Sequence, residues 1–229
     1  MTNPNGWTGG SGGTIRSLSD EQMTAFFAAI EKAKDPVVRA RDNCLFHLLL
    51  SYGLRCLEAK LLRLDNVNLK TSPAMIYVTR VKEKHIQMNP KTGEKTRVEK
   101  ARRGDWYPLS SPNEAKIRAW LKVRKSLAHA EESPSLFLTR QAPTISTNSI
   151  NFLTHQYGKK AGMARVFPHM FRHTCATRMA RLGFSAFEIK ERLGHVSVLS
   201  SEVYVRLSGP ERLAMNRRVD RALEGNEEF

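Results

Sequence analysis

From Leu18 to Leu64 the apolar residues of this chain recur at helical spacing, and the same period returns after Pro112. Met23, Phe26, Phe27 and Ile30 make one apolar face. That helix starts at Ser19, with Gln22 three residues on for a capping box, and Leu18 and Met23 stand where a hydrophobic staple closes. Asp35-Pro36 reads as an N-cap with proline in the first turn. The helix it opens carries Val37, Cys44, Leu45, Leu48 and Leu49 until Ser51-Tyr52-Gly53 breaks it, and helical spacing resumes over 55–64 through Leu57, Leu61 and Leu62. Two β-rich runs, 74–79 and 106–109, interrupt the pattern. Further helices are expected at 113–127, 147–161, 169–182, 185–193, 198–206 and 210–223, with Leu136-Phe137-Leu138 as a small strand. The fold class is therefore mainly α with a small antiparallel β-sheet (α+β). Residues 1–17, rich in Asn, Gly, Ser and Thr, read as a flexible leader, and 18–229 as one domain.

The segment between the two β runs narrows the partner. Residues 80–103 hold nine Lys/Arg against three Glu, in a chain whose formal net charge is +15, and Asn89-Pro90 and Thr92-Gly93 mark turns inside it. A long exposed basic hairpin loop is expected there, its cations Arg80, Lys82, Lys84, Lys91, Lys95, Arg97, Arg102 and Arg103 touching the phosphate backbone of a nucleic acid. No run of 18 apolar residues is available to span a membrane, and the first residues lack a basic, then apolar, secretory pattern. Cys44, Cys56 and Cys175 are odd in number, far apart and without CxxC spacing. They read as reduced thiols in a cytoplasmic protein rather than as a disulfide framework or zinc site.

Polar residues concentrate in the C-terminal third. His169, Arg172 and His173 are three and four residues apart and share a helix face near its N-terminus; His195 follows Gly194 beyond the next helix, and Tyr204 comes nine residues later. Upstream, Gly53-Leu54-Arg55-Cys56-Leu57-Glu58 puts an arginine at a helix start with a carboxylate one turn on. Arginine grips two phosphate oxygens at once and favours the extra charge of a pentacovalent transition state. Histidine exchanges protons near neutrality. Tyrosine is a nucleophile only with cationic neighbours or a base, because its free pKa is about 10. The sequence offers no P-loop, two-metal carboxylate cluster or Cys/His zinc pattern, so phosphoryl chemistry without a metal or other cofactor is expected.

The segments His169-Met170-Phe171-Arg172-His173-Thr174-Cys175-Ala176-Thr177, Leu193-Gly194-His195-Val196-Ser197 and Tyr204 resemble the C-terminal signature of the tyrosine recombinases, the phage-integrase family. Gly53 to Glu58 resembles that family's first motif. The resemblance implies that Tyr204 attacks a scissile phosphate to give a 3′-phosphotyrosine and a free 5′-hydroxyl. Arg55 and Arg172 would clamp the phosphate, His169 and His195 would assist it, and Glu58 would brace the arginines. His173 is read as a hydrogen-bonding support. A loop lysine would be the general acid: Lys100 fits best, eight residues before Pro108, with Lys95, Lys91 and Lys84 as alternatives.

By the same resemblance, the expected activity is site-specific recombination of double-stranded DNA through a Holliday junction. A homo-tetramer on paired sites is implied, a monomer in free solution, with accessory DNA-bending proteins and association with the nucleoid when DNA is bound. Family members carry an N-terminal core-binding domain that this sequence is expected to lack, either as an isolated catalytic domain or as one of the short members such as the fimbrial-switch invertases. The last helix, 210–223, is expected to dock on a neighbouring protomer or to pack on its own. Two rivals stand beside this reading: a type IB topoisomerase, which shares the tyrosine chemistry, and a catalytically silent DNA-binding regulator of the same fold.

Overall fold

Asp35 and Gly53 bracket the helix around which the other elements are arranged. In the computed structural model, which describes residues 17–81, 104–194 and 199–205 and the backbone of 85–88 and 95–98, Asp35 Oδ1 accepts from the backbone N–H of Val37 at 2.8 Å and of Val38 at 3.4 Å. The helix it caps, α2 (Pro36–Tyr52), ends at Gly53, whose φ of 56° is the left-handed C-cap that glycine adopts without strain. Ahead of it, α1 (Asp20–Glu31) carries the expected capping box between Ser19 and Gln22.

Helices α4 (Ser111–Arg124), α5 (Thr147–Lys160) and α6 (Pro168–Arg181) complete the main layer, and α7 (Ala186–Leu193) and α8 (Leu199–Val205) finish the described chain. Four rings lock α1, α2, α5 and α6 together. Phe26 meets Phe46 and Phe171, both at centroid distances of 4.9 Å, and Phe46 meets Tyr157 at 6.1 Å, all within ranges where edge-to-face contacts are favourable. Tyr157 satisfies its hydroxyl by donating to the buried Asp42 at 2.7 Å. A second, smaller cluster of Cys175, Ala176, Ile189 and Leu193 joins α6 to α7, and Tyr204 of α8 packs against it.

The sheet differs from expectation in three ways. A two-residue strand, β1 (Val67–Asn68), pairs antiparallel with β2 (Met75–Val78), which pairs antiparallel with β5 (Asp105–Pro108), Ile76 standing opposite Tyr107. Pro108 is tolerated because β5 is an edge strand. Within the basic segment, β3 (His85–Met88) and β4 (Lys95–Val98) pair as a separate antiparallel ribbon, where a loop was expected. Leu136–Leu138 is no strand: its buried residues hang on single backbone bonds, Leu136 N–H to Leu62 and Ile145 N–H to Phe137, beside one isolated bridge at Arg63 and Ser135. The helix expected at 55–64 is also shorter, α3 (Cys56–Lys60), followed by a 3-10 turn at Leu64–Asn66. The expected helix at 210–223 and the leader up to residue 16 lie outside the described residues.

Candidate active site

Arg55 is the N-cap of α3, and its position is set by a carboxylate one turn on. Glu58 accepts the Arg55 backbone N–H at 3.0 Å through Oε2 and the Arg55 guanidinium at 2.9 Å through Oε1. Glu58 is 1% exposed and serves more than Arg55: Arg80 Nη1 donates to it at 3.1 Å, the Val81 N–H at 3.3 Å, and Arg172 Nη1 lies 3.9 Å away. A buried carboxylate is tolerable because it is this fully paired. Three guanidiniums around one carboxylate leave a local net charge of +2. Arg55 Nε and Arg80 Nε are both buried and make no hydrogen bond among the described residues.

Arg172 comes from α6, where Phe171 on one side enters the core. It is 1% exposed, and its Nη1 donates to the Gly53 carbonyl at 2.6 Å and its Nη2 to the Leu193 carbonyl at 2.7 Å. Burial, reinforced by the charge of Arg55, pushes its pKa below the usual arginine value. The guanidinium is thus fixed between the turn after α2 and the end of α7. That close approach depends on glycine: a Cβ on Gly53 would stand 2.2 Å from Leu193 Cδ2, and one on Gly194 2.8 Å from Arg80 Cγ. Gly194 also has a φ of 66° and closes α7 immediately before His195.

His169 and His173 sit one turn apart on α6, their rings edge to face at 4.6 Å. They face different neighbours. His169 is exposed and lines an open groove of about 570 Å³ with Arg55, Lys60, Thr147 and Asn151. His173 is half-buried, and its Nδ1 lies 2.5 Å from the Tyr204 hydroxyl. Burial, then the proximity of His169 and Arg172, pushes the His173 imidazole down to about 4, so it is neutral at physiological pH. Burial raises the Tyr204 phenol above its ordinary value, against a lowering pull from Arg172.

Of the residues singled out in the sequence, Arg55, Glu58, His169, Arg172, His173 and Tyr204 are therefore gathered around the turn after α2 and the face of α6. Arg80 corrects an expectation. Placed among the cations touching DNA, it is instead 3% exposed, and it donates to Glu58, to the Tyr52 carbonyl at 3.2 Å and to the Arg192 carbonyl. Lys100 and His195 lie outside the described residues, as do Lys82, Lys84, Lys91, Arg102 and Arg103; of Lys95 and Arg97 only the backbone of β4 is described. Sequence reasoning missed Arg192, whose guanidinium stacks 4.4 Å from the Tyr52 ring centroid and 5.1 Å from that of Tyr107 while donating to the Ser51 carbonyl at 2.9 Å. It ties α7 to α2 and β5, and no local pattern distinguishes it from a solvated cation.

Known proteins share both sequence and fold with this chain. The family model described as the phage integrase family matches residues 16–209. Tyrosine recombinase XerD of Bifidobacterium longum is 30% identical over 193 residues, covering 81% of this chain and 55% of that protein. Tyrosine recombinase XerC of Alcanivorax borkumensis is 25% identical over 193 residues, covering 84% of this chain and 56% of that protein. The chain thus spans a little more than half the length of these curated relatives. The fold is also that of the XerH site-specific recombinase in the crystal structure of its pre-cleavage complex with difH substrate. The match has a TM-score of 0.64 at 21% identity and covers 88% of this chain and 53% of that one. With its family model matched across every described helix, this chain belongs to the phage integrase family.

Proposed function

We propose that this chain is a tyrosine-type site-specific DNA recombinase that cuts and rejoins double-stranded DNA through a 3′-phosphotyrosine. The observation that carries this reading is the pairing of a phenol on α8 with a buried, net-positive arginine cluster through one helix, α6. Arg55, which lines the groove, and Arg172 bind the non-bridging oxygens of the scissile phosphate and stabilise the charge that builds up on them. His169, at the groove, donates to the same phosphate, and His195 joins it from beyond Gly194. Tyr204 Oη bonds to phosphorus, its proton leaves, and the bond from phosphorus to the 5′-oxygen breaks. Lys100 protonates that oxygen. The phosphotyrosine keeps the energy of the broken bond, so a 5′-hydroxyl from a partner duplex can reverse the step. Two rounds pass through a Holliday junction, worked by a tetramer of chains that are monomers when free, on paired sites bent by accessory proteins.

Relatives named as tyrosine recombinases and a fold neighbour described as bound to its difH substrate support the reading. Its test is a suicide duplex, nicked so that the cleaved strand is lost and rejoining is blocked. The native chain should accumulate a covalent protein–DNA adduct and Tyr204→Phe should not. Equal adduct from both removes the proposed nucleophile. Relaxation of supercoiled plasmid lacking any recombination site would favour topoisomerase action instead.

A further inference from the structure

Deprotonating Tyr204 requires an acceptor, and among the described residues the candidates are few. Arg172 is a donor only. Glu58 already accepts from Arg55, Arg80 and Val81. The Cys175 thiol is buried and held protonated, its pKa raised by burial. His169 lines the open groove with Arg55, one helical turn before His173. His173 Nδ1, at 2.5 Å from Tyr204 Oη, is the nitrogen in contact with the reacting oxygen. Because the ring is neutral, Nδ1 carries a lone pair when the other nitrogen holds the proton, and the Tyr204 hydroxyl donates to it.

We propose that His173 is the general base for strand cleavage, taking the phenolic proton of Tyr204 onto Nδ1 as the phenol oxygen bonds to the scissile phosphorus. The inference rests on the reading of Tyr204 as nucleophile. The oxygen–phosphorus bond forms, the proton moves to Nδ1, and the bond to the 5′-oxygen breaks as that oxygen takes a proton from the general acid. In rejoining, the imidazolium returns its proton to the departing phenol oxygen. The two histidines of α6 thereby divide the work, His169 toward the phosphate and His173 toward the nucleophile. Before DNA binds, a weak base faces a weak acid and the proton stays on Tyr204. A bound phosphate offsets the positive charge of Arg172, which strengthens His173 as a base, and the forming bond acidifies the phenol. The nucleophile is thus activated only where there is a phosphate to attack.

The experiment is single-turnover cleavage of the suicide duplex by the native chain, His173→Asn and His173→Leu. Each is made with tyrosine and with a ring-fluorinated, more acidic tyrosine at 204. Asparagine can accept the hydroxyl hydrogen bond but cannot take the proton. With tyrosine both variants should cleave at least ~100-fold more slowly, the scale of general-base catalysis. With the fluorinated phenol the deficit should shrink by about tenfold or more, because an acidic nucleophile needs the base less. A merely structural histidine gives the same deficit with both phenols. That result overturns the proposal, as does either variant cleaving within about threefold of the native chain. A series of fluorinated tyrosines beside native His173 provides a second reading with the histidine intact. The rate should vary little with phenol acidity there, and a steep dependence contradicts base catalysis. Absence of adduct from the native chain refutes the recombinase reading itself, whereas normal native cleavage with unimpaired variants refutes only the role of His173.

Discussion

Arg172 Nη1 donates to the carbonyl of Gly53 at 2.6 Å across 119 residues of chain. This bond joins the family's first motif to its second and makes a backbone turn part of the proposed phosphate clamp. The turn is left-handed, and a methyl group at 53 would meet Leu193 at 2.2 Å. Gly53→Ala should therefore lose on the order of 2–4 kcal/mol of stability from left-handed strain and overpacking together. Urea unfolding measures this, and cleavage should fall further than folding does, because Arg172 loses its seat.

Glu58 tests whether the arginine cluster is held by its carboxylate. Removing one partner from a buried ionic group typically costs about 3–5 kcal/mol. Glu58→Gln should lose that much in urea unfolding. Its cleavage should also slow under conditions where the variant remains folded, because Arg55 loses the acceptor that orients it.

Arg80 separates buried from DNA-facing charge. Each phosphate contact contributes about 0.9 to the slope of log affinity against log salt. Arg80→Ala should leave that slope unchanged while losing about 3 kcal/mol of stability. A basic residue of the ribbon that touches DNA, when changed to alanine, should reduce the slope by about one contact. Titration of DNA binding across salt concentrations reads the difference.

The half-buried His173 makes stability depend on acid. Its folded pKa of about 4 lies below the ordinary histidine value of 6.5, so between those pH values the unfolded chain binds the extra proton. Stability should fall as pH drops from about 6.5 toward 4, by ~1–2 kcal/mol from this group after allowance for solvent screening. His47 is shifted in the same direction by burial and adds to the effect. His173→Asn should remove its own share of the slope and leave that of His47, measured by urea unfolding at pH 5 and pH 7.

The general acid is tested at the leaving group. Lys100→Ala should slow cleavage by about 100-fold or more, and a 5′-bridging sulfur, which leaves without protonation, should restore the rate. Rescue of Lys95→Ala, Lys91→Ala or Lys84→Ala instead would move the acid elsewhere in the basic segment.

The elements legible in the sequence are those whose signals are local. Ser19 with Gln22, Asp35-Pro36 and Gly53 mark helix ends because a cap and its target lie within a few residues. The site was legible for a related reason: His169, Arg172 and His173 share one turn of helix, and Arg55 and Glu58 another. The features that escaped depend on distant chain. Two residues at Val67–Asn68 have no periodicity, and only pairing with β2 makes them a strand. Leu136–Leu138 has a strand's composition, but no strand among the described residues pairs with it along its length. Arg80 counts as one more cation in a basic run, and only the fold reveals that Glu58 and two carbonyls surround it. His173 read as a support because nothing in its spacing showed that α8 would bring Tyr204 back onto it.

Every proposed step depends on Tyr204 becoming covalently joined to DNA. Peptide mapping of the adduct formed on the suicide duplex, by mass spectrometry, measures this most directly. One modified peptide is expected, carrying a 3′-phosphoryl nucleotide on Tyr204, together with a free 5′-hydroxyl on the released strand. An adduct on any other residue, or intact DNA under conditions where the chain is bound to its site, would contradict the proposed chemistry.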